Sequence, residues 1–245
     1  MRWRAGVRAG RWAAPLVGVS LVVTALAGCG GGDGAPAAAD PVAAAEDVAV
    51  VRTSPIADLL AKLPARVDGA RIVVGDPKAP KVARVLADPR CSWCARFEAT
   101  GGETLLRRAA EGKVRVEYVL ASFLDSDGTR GSAKAVNALR AAAERGRFAE
   151  YHAALFASQV KGGFTDEHLL RIADRVPGLR GAGFDAEVRT DRWWSWAARA
   201  QREFEAAGVP GTPVVLVEGK PVGAKDRSMF DAAAFADTLR KVGIG

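Results

Sequence analysis

The sequence predicts an α/β domain: a small mixed sheet whose two halves are separated by a block of helices. Three observations carry that expectation. An apolar run, Val82 to Ala87, leads straight into Cys91-Ser92-Trp93-Cys94 and a helix-like segment. A second run, Val114 to Leu120, places Val114, Val116, Tyr118 and Leu120 in alternation with polar or small residues, the period of a strand. Residues 130–207 then show helical patterns without strand signals, before a hairpin-like pair, Val214 to Val217 and Pro221 to Gly223.

The elements follow in order. Ser54 is a suitable N-cap with Pro55 at a first helical position, so a short helix is expected there. Arg71 to Gly75 reads as a strand, and Asp76-Pro77-Lys78-Ala79-Pro80 as a turn. Lys81 to Ala87 is a second, buried strand. The helix bearing the cysteines runs through Phe97, and Gly101-Gly102 is expected to break or kink it before a further stretch, Glu103 to Ala110. Gly112 fits a helix stop. The helical block holds Ser132 to Arg145, Phe148 to Ser158, a helix opened by Thr165-Asp166-Glu167, and Asp185 to Ala207. In the last, Trp193, Trp196, Ala200 and Phe204 share one face and read as core, with Trp194 on another. Glu218-Gly219-Lys220 turns the hairpin, and Asp231 caps a closing helix that ends near Gly243. His152 reads as a structural histidine, and His168, in a first turn, as an exposed one.

A strand ending in C-x-x-C at a helix N-terminus suits thiol redox chemistry. Free N–H groups and the positive end of the helix dipole stabilise an anion at the first sulfur. Arg90 adds a neighbouring positive charge. Cys91 is therefore the expected nucleophile and Cys94 its resolving partner, because the thiolate is the reactive form. A zinc half-site needs two more ligands, and the only histidines, His152 and His168, lie more than fifty residues from either cysteine. A disulfide across two intervening residues staples almost nothing. Copper handling by two soft sulfurs is opposed by the near absence of Met and His. No metal and no cofactor is expected.

The first residues read as targeting rather than fold. Arg2, Arg4, Arg8 and Arg11 precede an apolar run, Trp12 to Ala27, that is short for a membrane span. Leu26-Ala27-Gly28-Cys29 resembles the bacterial lipobox. That resemblance implies a signal peptide over residues 1–28, lipid on Cys29, and attachment to the outer face of the cytoplasmic membrane. Residues 29–48, rich in Gly, Ala, Pro and Asp, read as a flexible tether reaching roughly 25 Å. The domain is expected over residues 49–245. The 245-residue chain carries net charge +7; residues 1–28 hold four arginines and no acid, so the remainder keeps 31 basic and 28 acidic residues, net +3. These charges are interspersed rather than striped, which speaks against nucleic acid. Export implies an oxidising compartment, where a single closely spaced pair suits chemistry better than stapling.

Residues 70–242 resemble the DsbA family, thioredoxin-fold thiol-disulfide oxidoreductases of the bacterial envelope. Three stretches carry the likeness: Val74 to Pro80 leading into the C-x-x-C with Phe97-Glu98 beyond it, Gly146 to Phe156 in the helical block, and Gly208-Val209-Pro210-Gly211-Thr212-Pro213 before a strand. The resemblance implies a thioredoxin-like fold with a helical insertion at about residues 130–207. It also implies a cis Thr212-Pro213 bond facing the sulfurs, with Thr212 offering its backbone to a substrate chain. Substrate contacts are then expected at Thr212, Pro213, Ser92 and Trp93. The implied activity is forming, reducing or isomerising disulfides in exported proteins, with a membrane partner that resets the cysteine pair. Two departures stand out. Pro89 replaces a frequent aromatic, and Ser92-Trp93 replaces the common proline followed by an aromatic or histidine, which puts strong oxidising power in question. The rival reading is a non-enzymatic binding lipoprotein on the same scaffold, since fold does not fix function.

Overall fold

The computed structural model describes residues 50–128 and 131–245. The expected signal peptide, Cys29 and the tether over residues 29–48 lie outside the described residues.

A short helix, α1 (Ala57–Leu60), begins two residues later than Ser54 capping would place it. Ser54 instead accepts the Ile56 N–H through its hydroxyl at 3.2 Å. A hairpin follows, β1 (Ala65–Asp68) and β2 (Arg71–Val74), then β3 (Val82–Ala87). The cysteine helix α2 (Ser92–Phe97), a π-helical turn (Glu98–Gly102) and α3 (Glu103–Ala110) form one continuous rod. Strand β4 (Arg115–Leu120) leads to a 3-10 turn (Phe123–Asp127). The insertion holds α4 (Gly131–Glu144), α5 (Phe148–Ala157), α6 (Asp166–Ala173), α7 (Ala182–Arg189) and α8 (Trp194–Ala206). Strands β5 (Val214–Val217) and β6 (Lys220–Pro221), a 3-10 turn (Ser228–Phe230) and α9 (Ala232–Lys241) close the domain.

The sheet runs β1-β2-β4-β3-β5-β6. Only the β3–β4 pair is parallel, with Leu86 opposite Val119; the other pairs are antiparallel. This is the expected thioredoxin-like α/β fold with its helical insertion. Successive strand residues point to opposite faces. Val85, Val116, Tyr118 and Leu120 enter the main core, where α5 sets Phe148 against Tyr118 at 5.4 Å. Leu86 and Val119 point the other way and pack with Phe204 of α8, which stacks on Phe123 at 5.2 Å. Further along that second face the sheet becomes charged: Glu117 receives Arg71 and Arg84, each at 3.0 Å. The apolar end of the face is the end that carries the cysteines.

Three expectations are corrected and one is refined. The β1 strand was not anticipated, because Arg66 and Asp68 give it only polar alternation on an exposed edge. Gly69, at φ +61, fills the first of two turn positions, where a type II′ hairpin turn calls for glycine. The helix expected over Asp185 to Ala207 is two helices. Buried Asn137 of α4 holds the break, donating from Nδ2 to the Glu187 carbonyl at 3.1 Å and accepting the Trp193 N–H at 2.6 Å. The break or kink expected at Gly101-Gly102 takes the form of the π-helical turn Glu98–Gly102, which interrupts the α-helix without ending the rod. A Cβ on Gly101 would stand 2.4 Å from the Met229 carbonyl, so close packing requires glycine there. His168 is buried rather than exposed, with Nε2 2.7 Å from the Ser158 carbonyl and its ring stacked on Phe164.

Candidate active site

Strand β3 delivers the cysteine loop to the carboxyl end of the central sheet. Asp88, fully buried, organises the loop. Its carboxylate accepts the Arg90 N–H at 2.9 Å, the Ser132 hydroxyl at 2.6 Å and the Leu124 N–H at 3.1 Å. One side chain thereby ties the loop to the 3-10 turn after β4 and to the start of α4. Burial raises its pKa to about 6. Gln159, just past α5, adds a clamp by donating to the carbonyls of Pro89 at 2.5 Å and Cys91 at 3.0 Å.

Cys91 is the N-cap of α2, half-buried, and Cys94 is buried one turn on; both are free thiols. In its thiol form Cys91 donates to the Thr212 carbonyl at 3.4 Å. The Thr212-Pro213 bond is cis. Residues 121 positions apart in sequence therefore meet at the sulfur, and the Thr212 backbone faces it.

The two sulfurs differ in acidity. The Cys94 thiol donates toward Cys91, and the backbone N–H groups of Cys94 and Trp93 add to it. Together they outweigh burial and lower Cys91 from 9.0 to about 6. Burial, reinforced by the Cys91 anion, pushes Cys94 well above the ordinary thiol value. Arg90, expected to supply charge to Cys91, is engaged elsewhere. Its guanidinium donates to the Leu124 carbonyl at 2.8 Å and pairs with Asp125 at 3.2 Å. It secures the loop, and the causes that lower Cys91 most are hydrogen bonds. The arrangement can hold one nucleophilic thiolate at the surface and one protonated thiol beneath it.

Ser92 and Trp93 lie exposed on the first turn of α2, and Trp93 is 46% exposed. Phe230 stands 5.2 Å from Trp93, which sequence reasoning did not foresee. Glu98, Tyr118 and His152 form a second unforeseen set inside the core. Burial raises Glu98 to about 8 and lowers His152 to about 3. Glu98 Oε1 lies 3.7 Å from His152 Nε2, beyond hydrogen-bond length, and both atoms lack a partner among the described residues, as does the Tyr118 hydroxyl. Glu98 lies four residues beyond buried Cys94, on the same inward face of the rod, although its residue type suggests a surface position.

The family described as Thioredoxin matches residues 68–234, more than half of the chain. The chain belongs to the thioredoxin family. Among solved thioredoxin-like structures, BdbD from Bacillus subtilis in its oxidised form superposes with a TM-score of 0.60 at 18% identity, over 80% of this chain and 99% of that one. MdbA, a thiol-disulfide oxidoreductase from Corynebacterium matruchotii, gives 0.59 at 19% identity, over 68% and 90%. Oxidised DsbA from Mycobacterium tuberculosis gives 0.52 at 19% identity, over 74% and 99%. At these identities the likeness is one of fold. A 30-residue segment is 80% identical to part of a hydroxyurea phosphotransferase from Kitasatospora aureofaciens, spanning 12% of this chain and 9% of that protein. So short a share of that protein carries no activity over to a thioredoxin domain.

Proposed function

We propose that the protein is a DsbA-like thiol-disulfide oxidoreductase working through Cys91 and Cys94. One observation carries the reading: an acidified, reachable Cys91 beside the Thr212 carbonyl, above a buried Cys94 held protonated. In the disulfide-forming direction a substrate thiolate attacks Cys91 of the Cys91–Cys94 disulfide. The protein's S–S bond breaks, and Cys94 leaves and takes up a proton. The substrate's second thiolate then attacks its own sulfur in the mixed disulfide and expels Cys91 as thiolate. The substrate loses two electrons and the cysteine pair gains them. A stabilised Cys91 thiolate favours the reduced pair, which supports this direction. Thr212 and Pro213 line the approach, so a substrate chain can pair with the Thr212 backbone while Ser92 and Trp93 contact its neighbours.

Oxidative refolding of a reduced protein and reduction of insulin test the reading together. Wild type is expected to catalyse exchange and Cys91→Ser to lose it. A Cys91→Ser protein as active as wild type overturns the reading in favour of a binding-only role. A reduction potential near about −120 mV supports the forming direction, and one near about −270 mV the reducing one.

The cellular setting rests on sequence. A basic start, an apolar run and Leu26-Ala27-Gly28-Cys29 support export with lipid on Cys29. The domain then works on exported proteins outside the cytoplasmic membrane, held by residues 29–48, and a membrane redox partner resets the pair. Incorporation of labelled palmitate that disappears in Cys29→Ala is the expected result; equal labelling contradicts it.

A further inference from the structure

A cationic and aromatic ledge adjoins Cys91. Trp93 lies two residues beyond the nucleophile with 46% of its surface exposed. Phe230 meets it at 5.2 Å. The Arg96 guanidinium stands 5.5 Å from the Trp93 ring and 5.4 Å from the Phe230 ring, and Arg227 stands 5.3 Å from Trp93. Arg96 comes from the same helix and Arg227 from the loop before the last 3-10 turn. Both arginines are exposed.

Their charges are left uncompensated. Among the described residues neither Arg96 nor Arg227 has a carboxylate partner. The acids nearest Arg227 along the chain accept backbone N–H groups rather than pairing with it: Asp226 from Ser228 at 3.1 Å and Asp231 from Ala234 at 2.8 Å. Arg227 also holds φ +60, a left-handed conformation that glycine or asparagine adopts more readily. A long cationic side chain thus stands where turn geometry alone calls for a small one. A guanidinium resting on a ring keeps its N–H edge free for a planar, bidentate acceptor. The ring face that remains open offers stacking area.

We propose that Trp93, Phe230, Arg96 and Arg227 form a substrate subsite selecting polypeptides that carry acidic side chains next to the reacting cysteine. This rests on the oxidoreductase reading and names its substrate class. A chain held over Cys91 by the Thr212 backbone extends across Trp93, which brings flanking carboxylates to the two guanidiniums. Opposite charge there raises the encounter rate and fixes orientation.

The test uses reduced full-chain protein and three synthetic peptides. Each carries one cysteine as a mixed disulfide with thionitrobenzoate and differs only in the flanking residues: aspartates, serines or lysines. A small uncharged disulfide, 2-hydroxyethyl disulfide, reports the exchange reaction alone. The aspartate peptide is expected to react about fivefold faster than the lysine peptide at low salt, with the gap closing at high salt. The double variant Arg96→Glu, Arg227→Glu is expected to invert the order. Equal rates for all peptides, with 2-hydroxyethyl disulfide still reduced, overturn the subsite and leave the oxidoreductase reading intact. No exchange with any disulfide overturns both. An unchanged preference in the double variant overturns the assignment to these arginines. Phosphatidylglycerol vesicles that displace the aspartate peptide overturn the peptide assignment in favour of lipid headgroups.

Discussion

At the N-terminal tip of the rod from Ser92 to Ala110 one thiol is acidified, while one and two turns further along a second thiol and a carboxyl are held neutral. Cys91 and Glu98 are seven residues apart on one helical path. Cys91 meets donors on more than one side: the Cys94 thiol and two backbone N–H groups. Glu98 meets none, and desolvation alone raises it to about 8. The contrast teaches that burial sets acidity at this helix only where no donors offset it. A half-buried group with three donors ionises near pH 6, and a fully buried one without donors does not ionise at neutrality. The same rod can therefore present an anion at the surface without drawing charge into the core.

The most severe break in the contrast is removal of the anion. Cys91→Ser is expected to abolish disulfide exchange with a model substrate, and Cys94→Ser to accumulate a mixed disulfide visible on a non-reducing gel. Retention of turnover in Cys91→Ser contradicts the assignment.

Glu98→Gln sharpens the interior half. A carboxyl whose folded pKa lies above its unfolded value of 4.5 gives stability that is complete below pH 4.5 and is lost as pH rises to about 8. Glutamine has no such loss. The variant is expected to gain on wild type by about 1.4 kcal/mol per pH unit across that window. Urea unfolding of both proteins in the same redox state isolates the difference. His152 has the opposite sign: its folded pKa of about 3 lies below the unfolded 6.5, so its contribution is lost as pH falls through that range. A flat Glu98→Gln difference contradicts a neutral interior carboxyl.

Gly101→Ala tests the close packing of the π-helical turn against Met229 and Phe235. The added Cβ meets the Met229 carbonyl at 2.4 Å, so a loss of about 2 kcal/mol is expected in thermal or urea unfolding.

The contrast also explains what sequence could reveal. The β3 strand, the Cys91-Cys94 helix start, the Thr165 and Asp231 caps and the Glu218-Gly219 turn are local signals, and each stands where local chemistry puts it. Thr165 accepts the His168 N–H at 3.2 Å, and Asp231 accepts Ala234 as a cap should. Other features depend on partners far along the chain. Asn137 splits a helix because it reaches Glu187 and Trp193, 50 and 56 residues away. Gln159 reaches back 70 residues to Pro89. His168 is interior because the Ser158 carbonyl is there to receive it. Arg90 looked like a charge donor to Cys91 because proximity in sequence hides its commitment to Leu124 and Asp125. At the candidate site, the two cysteines and Thr212-Pro213 were legible, whereas Asp88, Gln159 and Phe230 were not.

The central claim is the acidity of one sulfur. Iodoacetamide labelling of reduced full-chain protein, followed from pH 4 to 10 by mass spectrometry of the Cys91 peptide, measures it directly. The expected midpoint is about pH 6 for Cys91, with Cys94 unlabelled across the neutral range. A Cys91 midpoint at or above about 8.5, that of an ordinary cysteine, contradicts it.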